Sequence, residues 1–178
     1  LETGSERDGD VPGLRAALLA ALPELIGAFN ANRAGEGAAL VAVLETQLSD
    51  IGTLVEQATE QAADRASTAA ERLRDNVARV MGAADGLDQT RLTQEIALLA
   101  VKSDITEEID RLRAHVEAAR ELIGGQGPVG RKLDFLIQEF NREANTLCSK
   151  AQSTALTATG LDLKSVIDQM REQVQNLE

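Results

Sequence analysis

The sequence predicts an all-α protein with coiled-coil-like packing, in which a long helical hairpin over residues 11–82 is followed by a helical C-terminal module over residues 83–178. Good helix formers, above all alanine, leucine, glutamate, glutamine and arginine, dominate the 178 residues. Apolar residues recur at spacings of three and four almost throughout. No alternating apolar and polar segment is long enough to indicate a half-buried strand.

The first predicted helix begins after a polar stretch. Residues 1–10, LETGSERDGD, are typical of a linker or a frayed terminus, and we expect the chain to be a piece of a larger protein. Asp10 can cap the helix, Pro12 lies near its start, and Pro23 predicts a kink. We expect one buried stripe, formed by Val11, Leu14, Leu18, Leu22, Leu25 and Phe29.

A break at Gly35–Gly37 is predicted to separate this helix from a longer one. The apolar stripe of the second helix runs from Leu40 to about Met81 without a proline. Its second half buries mostly alanine, which removes little apolar area from water, so that half should be less firmly held. The stripe consists of Leu40, Leu44, Leu48, Ile51, Val55, Ala58, Ala62, Ala69, Leu73, Val77 and Val80.

Glycine-rich segments divide the rest of the chain. Gly82–Gly86 is the predicted boundary of the C-terminal module. Asp88 can cap the first helix of this module, and Asp104 with Glu107 forms a capping box for the second. The Gly124–Gly130 loop lacks the Lys-Ser/Thr ending of a P-loop and follows a helix, so we predict a tight turn. We expect Leu92, Ile96 and Leu99 to face inward, and a second loop at Gln152–Gly160.

Composition argues against several classes of function. A net charge of −11 disfavours nonspecific binding of nucleic acid through bulk electrostatics. One cysteine and one histidine exclude an internal disulfide and a zinc-finger ligand set. Tyrosine and tryptophan are absent, so base-stacking surfaces have little material. We find no leader and no membrane-spanning apolar run, and therefore expect a cytoplasmic chain with no membrane partner and no organic cofactor.

The helix from Asp104 to Ile123 carries a polar flank beside its core stripe. Four side chains fall within an arc of about 60° at 100° per residue, and they include the only histidine of the chain. Such a flank can hold a divalent cation, or move a proton through the imidazole. Ion pairs on a solvated helix margin explain the same pattern. The flank consists of Asp104, Glu108, Arg111 and His115.

The helix from Gly130 to Lys150 carries two chemically distinct flanks. Glu139 and Glu143 lie one turn apart, an arrangement that carboxylate-held Mg²⁺ and Mn²⁺ sites use, although solvated acids show it too. Asparagine is unfavourable inside a helix, so Asn141 and Asn145 need a reason such as ligand binding or burial against a neighbour. One flank gathers Asp134, Gln138, Asn141 and Asn145, and the other gathers Lys132, Glu139, Glu143 and Lys150.

Two further groups of side chains can be assigned a role from chemistry. The cations Arg131, Lys132, Arg142 and Lys150 could contact phosphate groups, or could be ordinary surface charge. Cys148 lies at the edge of the apolar stripe, and no second histidine is present to activate it. We therefore predict a small core residue at Cys148 rather than a nucleophile.

Three segments of the chain are long and idiosyncratic, namely TQEIALLAVKSDITEEIDRLRAHVEAARELI, GPVGRKLDFLIQEFNREANTLCSK and REQVQNLE. They closely resemble the C-terminal region of the YicC/YloC-like bacterial endoribonucleases. Residues 1–92 are similar more loosely, through RAGEGAAL at Arg33–Leu40. After Lys150 the chain departs from the family, which often has a Ser-x-Asp-x-Glu continuation, so no role of acids there is transferred.

The resemblance implies an endoribonuclease that depends on Mn²⁺ or Mg²⁺ and assembles as a ring-like homo-oligomer, expected to be a hexamer, around an RNA channel. It also implies that the N-terminal domain of the family is missing, so the fragment alone could be inactive. We expect Asp104, Glu108, Glu139 and Glu143 to hold the metal, with His115 joining Glu108, Glu139 and Glu143 in catalysis. We expect Arg111, Arg131, Lys132, Arg142 and Lys150 to contact RNA phosphates, and Glu107, Asp134, Gln138, Asn141 and Asn145 to support them.

The alternative is a non-catalytic helical oligomerisation module, because subunit interfaces also require amide pairs and matched charges. The metal hypothesis makes a geometric demand that this alternative does not make. His115 and the edge formed by Glu139 and Glu143 must lie at one shared crevice.

Overall fold

A computed structural model of the chain describes residues 11–83, 89–125 and 127–175. This part contains five α-helices: α1 (Val11–Ala83), α2 (Gln89–Ser103), α3 (Thr106–Gly124), α4 (Gly130–Lys150) and α5 (Thr154–Val174). No strand occurs among the described residues. The all-α prediction is therefore confirmed.

Helix α1 continues through Gly35 and Gly37, where we predicted a break and hence a hairpin. A glycine inside a helix costs about 1 kcal/mol relative to alanine, which weakens a helix without ending it. Across this segment the Asn32 side-chain amide donates to Glu36 Oε1 at 3.0 Å, a contact of one helical turn. Pro23 also lies inside α1. The structure thus replaces the predicted hairpin with one long helix.

The chain forms two compact units, Leu1–Val41 and Ala42–Glu178. The described part of the first unit is a single helix, which has no second element to cover its apolar face. The stripe predicted to be buried is accordingly exposed, from 43% for Leu22 to 66% for Val11. The boundary predicted at Gly82–Gly86 lies mostly outside the described residues and stays a prediction.

In the second unit, α4 packs against both α3 and α5. Helix α1 supplies a fully buried stripe at the predicted positions Leu44, Leu48, Ile51, Val55 and Ala58. Farther along α1, Ala69 is exposed and Leu73 is 37% exposed, in keeping with a less firmly held second half. The largest buried side chains of the other helices are Leu112, Leu133, Ile137, Phe140, Leu147, Leu156, Leu163 and Ile167.

The predicted inward face of α2 is not buried. Ile96 is half-buried, but Leu99 is 61% exposed, and its neighbours Leu98 and Val101 are 54% and 72% exposed. The side chain of Leu92 and the predicted cap Asp88 lie outside the described residues. Periodicity identified an apolar face on α2, and that face is open to solvent in a single chain.

The loop between α4 and α5 is shorter than the predicted Gln152–Gly160 segment, because α5 already begins at Thr154. Ser153 caps this helix by accepting a hydrogen bond from the Leu156 amide at 3.1 Å. Gly160 therefore lies inside α5, where it is buried against α4. A Cβ atom at Gly160 would lie 2.5 Å from Cys148 Sγ, so glycine permits the close approach of the two helices.

The Gly124–Gly130 segment connects α3 to α4, as the predicted turn requires. Gly127 has a φ of +100°, a conformation that L-residues with a side chain rarely adopt. Residue 126 lies outside the described part of the chain. Gly127 therefore provides a backbone conformation in this connection that a residue with a side chain would rarely adopt.

Arg65 of α1 joins the ends of two other helices. Its Nη1 donates to the carbonyl oxygens of Lys150 and Ala151 at 2.8 and 2.9 Å, and its Nη2 donates to the Ser103 carbonyl at 2.5 Å. The last carbonyls of a helix lack intrahelical donors, and a guanidinium satisfies them with charge-assisted hydrogen bonds. Arg65 thus holds the end of α2 beside the end of α4.

One described helix is long and apolar enough to cross a membrane, judged by length and composition alone, so the expectation of no such apolar run is wrong by this criterion. Its apolar window near the N-terminus has a mean hydropathy of 1.4. A single such helix is weak support for a membrane span, since core helices and signal sequences have the same properties. The predicted cytoplasmic location and lack of a membrane partner stay predictions.

Two glycine-to-alanine substitutions should change stability in opposite directions. Gly160→Ala places a methyl group against the short Cys148 side chain and should lower the free energy of unfolding by about 1–3 kcal/mol. Gly52→Ala lies in α1 with no heavy atom within 4 Å of the new Cβ, and should raise it by about 0.5–1 kcal/mol. Urea unfolding followed by circular dichroism measures both. Equal stability of the two variants would contradict the close α4–α5 approach.

Candidate functional site

The polar flanks predicted on α3 and α4 face each other in the structure. Near the middle of the two helices, Arg111 Nη1 of α3 donates to Glu143 Oε1 of α4 at 3.1 Å. Near the start of α3, Lys150 Nζ donates to Glu108 Oε1 at 2.9 Å. The two flanks, derived from helical geometry alone, therefore enclose one polar seam beside the apolar core.

His115, Glu139 and Glu143 form a cluster in this seam, called here the His-Glu-Glu cluster. Each residue offers one ligand atom, and the three atoms lie within 4.8 Å of one another. Glu143 is 3% exposed, and the other two residues are half-buried. His115 Nε2 is buried and has no hydrogen-bond partner among the described residues. An imidazole nitrogen and two carboxylates are a donor set that a divalent cation can use.

Arg111 compensates the buried carboxylate of the cluster. The Glu143 side chain is only 4% exposed, and a buried carboxylate is costly unless a partner of opposite charge binds it. The hydrogen bond to Glu143, followed by the charges of Glu107 and Glu143, raises the pKa of Arg111 above its ordinary value. Arg111 also pairs with Glu107 one turn earlier. It therefore remains a cation that orients one oxygen of Glu143.

Phe140 fixes the plane of the histidine ring. The two ring centroids lie 5.6 Å apart at an interplanar angle of 72°, an edge-to-face arrangement. Phe140 is fully buried in the core of the second unit. Because the phenyl ring cannot move freely, the imidazole is held at the margin where the core meets the polar seam.

Two predicted metal ligands lie outside the cluster. Glu108 is 5% exposed and bound by Lys150, while its Oε2 is buried without a partner among the described residues. Asp104 Oδ1 accepts hydrogen bonds from the Thr106 amide and hydroxyl at 2.9 and 2.7 Å. The structure thus divides the four predicted carboxylate ligands, with only Glu139 and Glu143 in the cluster. Glu107, which we expected to complete a capping box, pairs with Arg111 instead.

The predicted phosphate-binding cations differ in how far they are engaged. Arg131 and Lys132 are exposed in the first turn of α4 and form no ion pair with another described residue. The Arg142 side chain is 70% exposed, with its Nη1 3.8 Å from Glu139 Oε2. Lys150 also donates to the Asp104 carbonyl at 3.0 Å. Three cations thus remain accessible to a ligand, whereas Arg111 and Lys150 already bind acids of the seam.

The second predicted flank of α4 lies away from the cluster. The Gln138 amide donates to Asp134 Oδ2 at 3.0 Å, and Asn141 and Asn145 line a groove between α4 and α5. Cys148 is half-buried, and burial raises the pKa of its thiol. A raised thiol pKa fits a packing residue and disfavours a thiolate nucleophile.

Residues 58–178 match the family model described as "Endoribonuclease YicC-like, C-terminal". The chain belongs to the YicC-like endoribonuclease family. It is 39% identical over 172 residues to a protein of Haemophilus influenzae named "Probable endoribonuclease YicC". It is 31% identical over 173 residues to a protein of the same name from Clostridioides difficile. The resemblance found in the sequence is therefore confirmed.

The match to the YicC-like family includes the whole candidate site. Helices α3, α4 and α5 and the Arg65 contact all fall within residues 58–178. Both alignments cover 97% of this chain but 59% of the relative, so the chain spans about three-fifths of the length of these relatives.

Removing the Asp104 carboxylate should destabilise the chain in a pH-dependent manner. Hydrogen bonds from the Thr106 amide and then its hydroxyl lower the pKa of Asp104 below its ordinary value. A lowered folded pKa means that the stabilisation is present above the unfolded pKa of about 3.9 and is lost as pH falls through the folded value. Asp104→Ala should cost about 0.5–2 kcal/mol at neutral pH.

Urea unfolding of Asp104→Ala and the parent chain, from neutral to acidic pH, checks this expectation. The difference between the two should shrink as pH falls below about 4. Glu45→Ala, a substitution of an exposed acid of α1 away from this contact, is a suitable control. A stability difference that stays constant or grows in acid would contradict the charge-assisted role of Asp104.

Proposed function

We propose that this chain carries the catalytic centre of a divalent-metal-dependent endoribonuclease. The observation that supports it most is the convergence of three donor atoms from α3 and α4 within 4.8 Å. The relatives named probable endoribonucleases support RNA as the substrate class. In this proposal His115, Glu139 and Glu143 hold Mn²⁺ or Mg²⁺.

The cluster has dimensions suited to one ion. Metal–ligand bonds of about 2.0–2.2 Å place two ligands on opposite sides of an ion about 4.4 Å apart at most. Separations within 4.8 Å therefore need only small side-chain rotations to reach bonding distance. The buried His115 Nε2, without a partner among the described residues, fits a nitrogen that lacks a ligand. An imidazole in the set favours Mn²⁺, since Mg²⁺ takes oxygen ligands.

A bound ion at the cluster would polarise a phosphoryl oxygen and lower the pKa of the attacking group. Other residues of the chain would orient the ligands of the ion. Arg111 orients Glu143, and Phe140 holds the His115 ring. One ring nitrogen of His115 would bind the ion, while the N–H of the other would donate a hydrogen bond that orients the ring.

Cations around the cluster would hold the RNA backbone. Arg142 lies next to Glu139, and the exposed Arg131 and Lys132 lie at the start of the same helix. Arginine and lysine supply most contacts to phosphate oxygens. Asp104 and Glu108, predicted as further ligands, would instead fix the start of α3, with Glu108 bound by Lys150 at the end of α4.

A homo-oligomeric interaction module is the second candidate function, and one observation favours it. Eight large apolar side chains of α1 are exposed, from Val11 to Phe29, as are Leu98, Leu99 and Val101 of α2. Exposed apolar faces of this extent often form protein interfaces. We propose that the second candidate accompanies the first, with copies of the chain covering these faces.

Metal binding is expected to depend on all three cluster residues. His115→Ala, Glu139→Gln and Glu143→Gln should each lower Mn²⁺ affinity at least about 10-fold, since even outer-shell changes cost about 10- to 100-fold. Glu117→Gln, an exposed acid of α3 paired with Arg120, is the matched control and should bind as the parent chain does. Calorimetric titration and the shift in melting temperature with Mn²⁺ give the affinities. Unchanged Mn²⁺ binding by all three variants would exclude this site.

RNA cleavage should follow metal binding. With Mn²⁺ the 178-residue chain should cut single-stranded RNA, and chelation should stop the reaction. Glu139→Ala and Glu143→Ala should each lower the rate at least about 100-fold while the variants stay folded and keep the sedimentation coefficient of the parent chain. Dissociation of both variants, with activity proportional only to the assembled fraction, would favour the interaction module. Glu139→Ala and Glu143→Ala variants that cut RNA as fast as the parent chain would contradict a catalytic centre here.

A further inference from the structure

A polar groove runs between α4 and α5, away from the His-Glu-Glu cluster. It has a volume of about 660 Å³. Helix α4 lines it with Asn141, Arg142 and Asn145, and α5 lines it with Lys164, Asp168 and Arg171. Of these six residues, only Arg142 has a role in the proposed metal centre or in phosphate binding beside it.

The groove is positively charged within an acidic chain. Three cations and one acid line it, whereas the whole chain has a net charge of −11. Neither Lys164 nor Arg171 forms an ion pair with another residue in the described ranges, and the nearest acid to Arg142 is 3.8 Å away. Lys164 and Arg171 can therefore bind an anion locally, even though the chain repels polyanions at long range.

Two side-chain amides of the groove have no partner in the described part of the chain. Asn141 and Asn145 lie one turn apart on α4, and neither amide forms a hydrogen bond there, whereas the Gln138 amide is bound to Asp134. Each asparagine costs helix stability relative to alanine. An amide offers both donors and an acceptor, the combination that binds base edges and sugar hydroxyls.

The antiparallel packing of α4 and α5 aligns these groups in pairs. The close contact of Gly160 with Cys148 sets the register. Asn145 is three residues before Cys148, and Lys164 is four residues after Gly160, so the two lie at the same level. Asn141 and Asp168 are seven and eight residues from the contact and lie at the next level. Lys164 and Arg171 are then about 10 Å apart along α5, at 1.5 Å rise per residue. The groove thus presents Asn145 and Lys164 at one level, Asn141 and Asp168 one turn farther along, and Arg171 beyond them. Amides that bind base edges need bases that are not paired, which favours a single strand over a duplex.

Arg142 connects the groove to the cluster. It lines the groove, while its Nη1 approaches Glu139 of the cluster at 3.8 Å. On the helical wheel of α4, Arg142 lies between the flank of Asn141 and Asn145 and the flank of Glu139 and Glu143. A ligand in the groove would therefore pass directly to the cluster over the Arg142 side chain.

We propose that the α4–α5 groove is a binding site for a single RNA strand, which enters the His-Glu-Glu cluster across Arg142. This inference rests on the proposed function for its choice of RNA, and it assigns Lys164 and Arg171 to phosphates and Asn141 and Asn145 to bases or sugars. The shortage of aromatic residues leaves stacking little part in binding. Affinity should therefore depend strongly on salt and weakly on base sequence.

The test measures RNA binding without divalent metal, so that binding is separated from cleavage. Fluorescence anisotropy of an end-labelled single-stranded RNA in EDTA gives the affinity of the 178-residue chain over a range of salt concentrations. Lys164→Ala/Arg171→Ala should lower affinity about 25-fold near 0.1 M salt, because each phosphate contact on a single strand is worth about 5-fold there. The slope of log affinity against log salt should fall in magnitude by about 1.4.

Two further variants sharpen the test. Arg15→Ala/Lys102→Ala removes one arginine and one lysine outside the groove, and should change affinity less than about 2-fold. Asn141→Ala/Asn145→Ala should lower affinity without changing the salt slope, because it removes no charge. Circular dichroism confirms that each variant is folded.

Three outcomes would overturn the groove assignment. The first is a parent chain that does not bind RNA, and the second is an unchanged affinity and slope for Lys164→Ala/Arg171→Ala. The third is a change in sedimentation coefficient with RNA binding intact, which would make the groove an interface between copies. Mn²⁺ titration of the same variants separates the two proposals. If the His-Glu-Glu cluster binds no metal, the parent chain and the groove variants will not bind Mn²⁺, but the salt slope of RNA binding will still differ between them.

Discussion

The candidate site depends on the burial of the Glu143 carboxylate between α3 and α4. This side chain is 4% exposed, and Arg111 of the facing helix is its charged partner. A buried carboxylate without such a partner is strongly destabilising, so this pair favours the register of the two helices that brings Arg111 to Glu143. The same register brings His115 to Glu139 and Lys150 to Glu108. The His-Glu-Glu cluster thus follows from how α3 and α4 pack.

Helix α1 adds polar contacts and buried apolar side chains to the same unit. The ion pair of Arg113 with Glu56 is bidentate, at 2.8 and 3.0 Å, yet both partners are substantially exposed and such pairs contribute little to stability. The fully buried side chains of Leu44, Leu48 and Ile51 contribute more, at about 1.5–3 kcal/mol each. Apolar burial therefore stabilises the unit, and the polar contacts of α1, including Arg65, fix where the helix ends lie.

Helical periodicity predicted much of this arrangement. It identified the all-α class, the buried stripe from Leu44 to Ala58, and the polar flanks of α3 and α4 that meet in the structure. It could not identify Arg65, because the carbonyls that this residue binds are 38 to 86 positions away in sequence. Gly160 was assigned to a loop because the reason for a glycine there, the close approach of the facing helix α4, is not visible in the sequence around it.

Other errors arose because a pattern marks an apolar face without showing what covers it. The stripe from Val11 to Phe29 and the face of α2 were predicted to be buried and are exposed. The break predicted at Gly35–Gly37 was wrong because the prediction overestimated how strongly glycine destabilises a helix. Glycine costs about 1 kcal/mol relative to alanine, which a long helix tolerates. Asp104 and Glu108 share a flank with His115, but a local turn and Lys150 occupy them.

Helix α4 contributes to both proposed sites, because it presents acids toward α3 and cations with amides toward α5. The most direct test is the anomalous scattering of a crystal of the chain grown with Mn²⁺. We expect one strong peak within about 2.3 Å of a ring nitrogen of His115 and of carboxylate oxygens of Glu139 and Glu143. A fully bound ion elsewhere, with these three side chains unliganded, would contradict it.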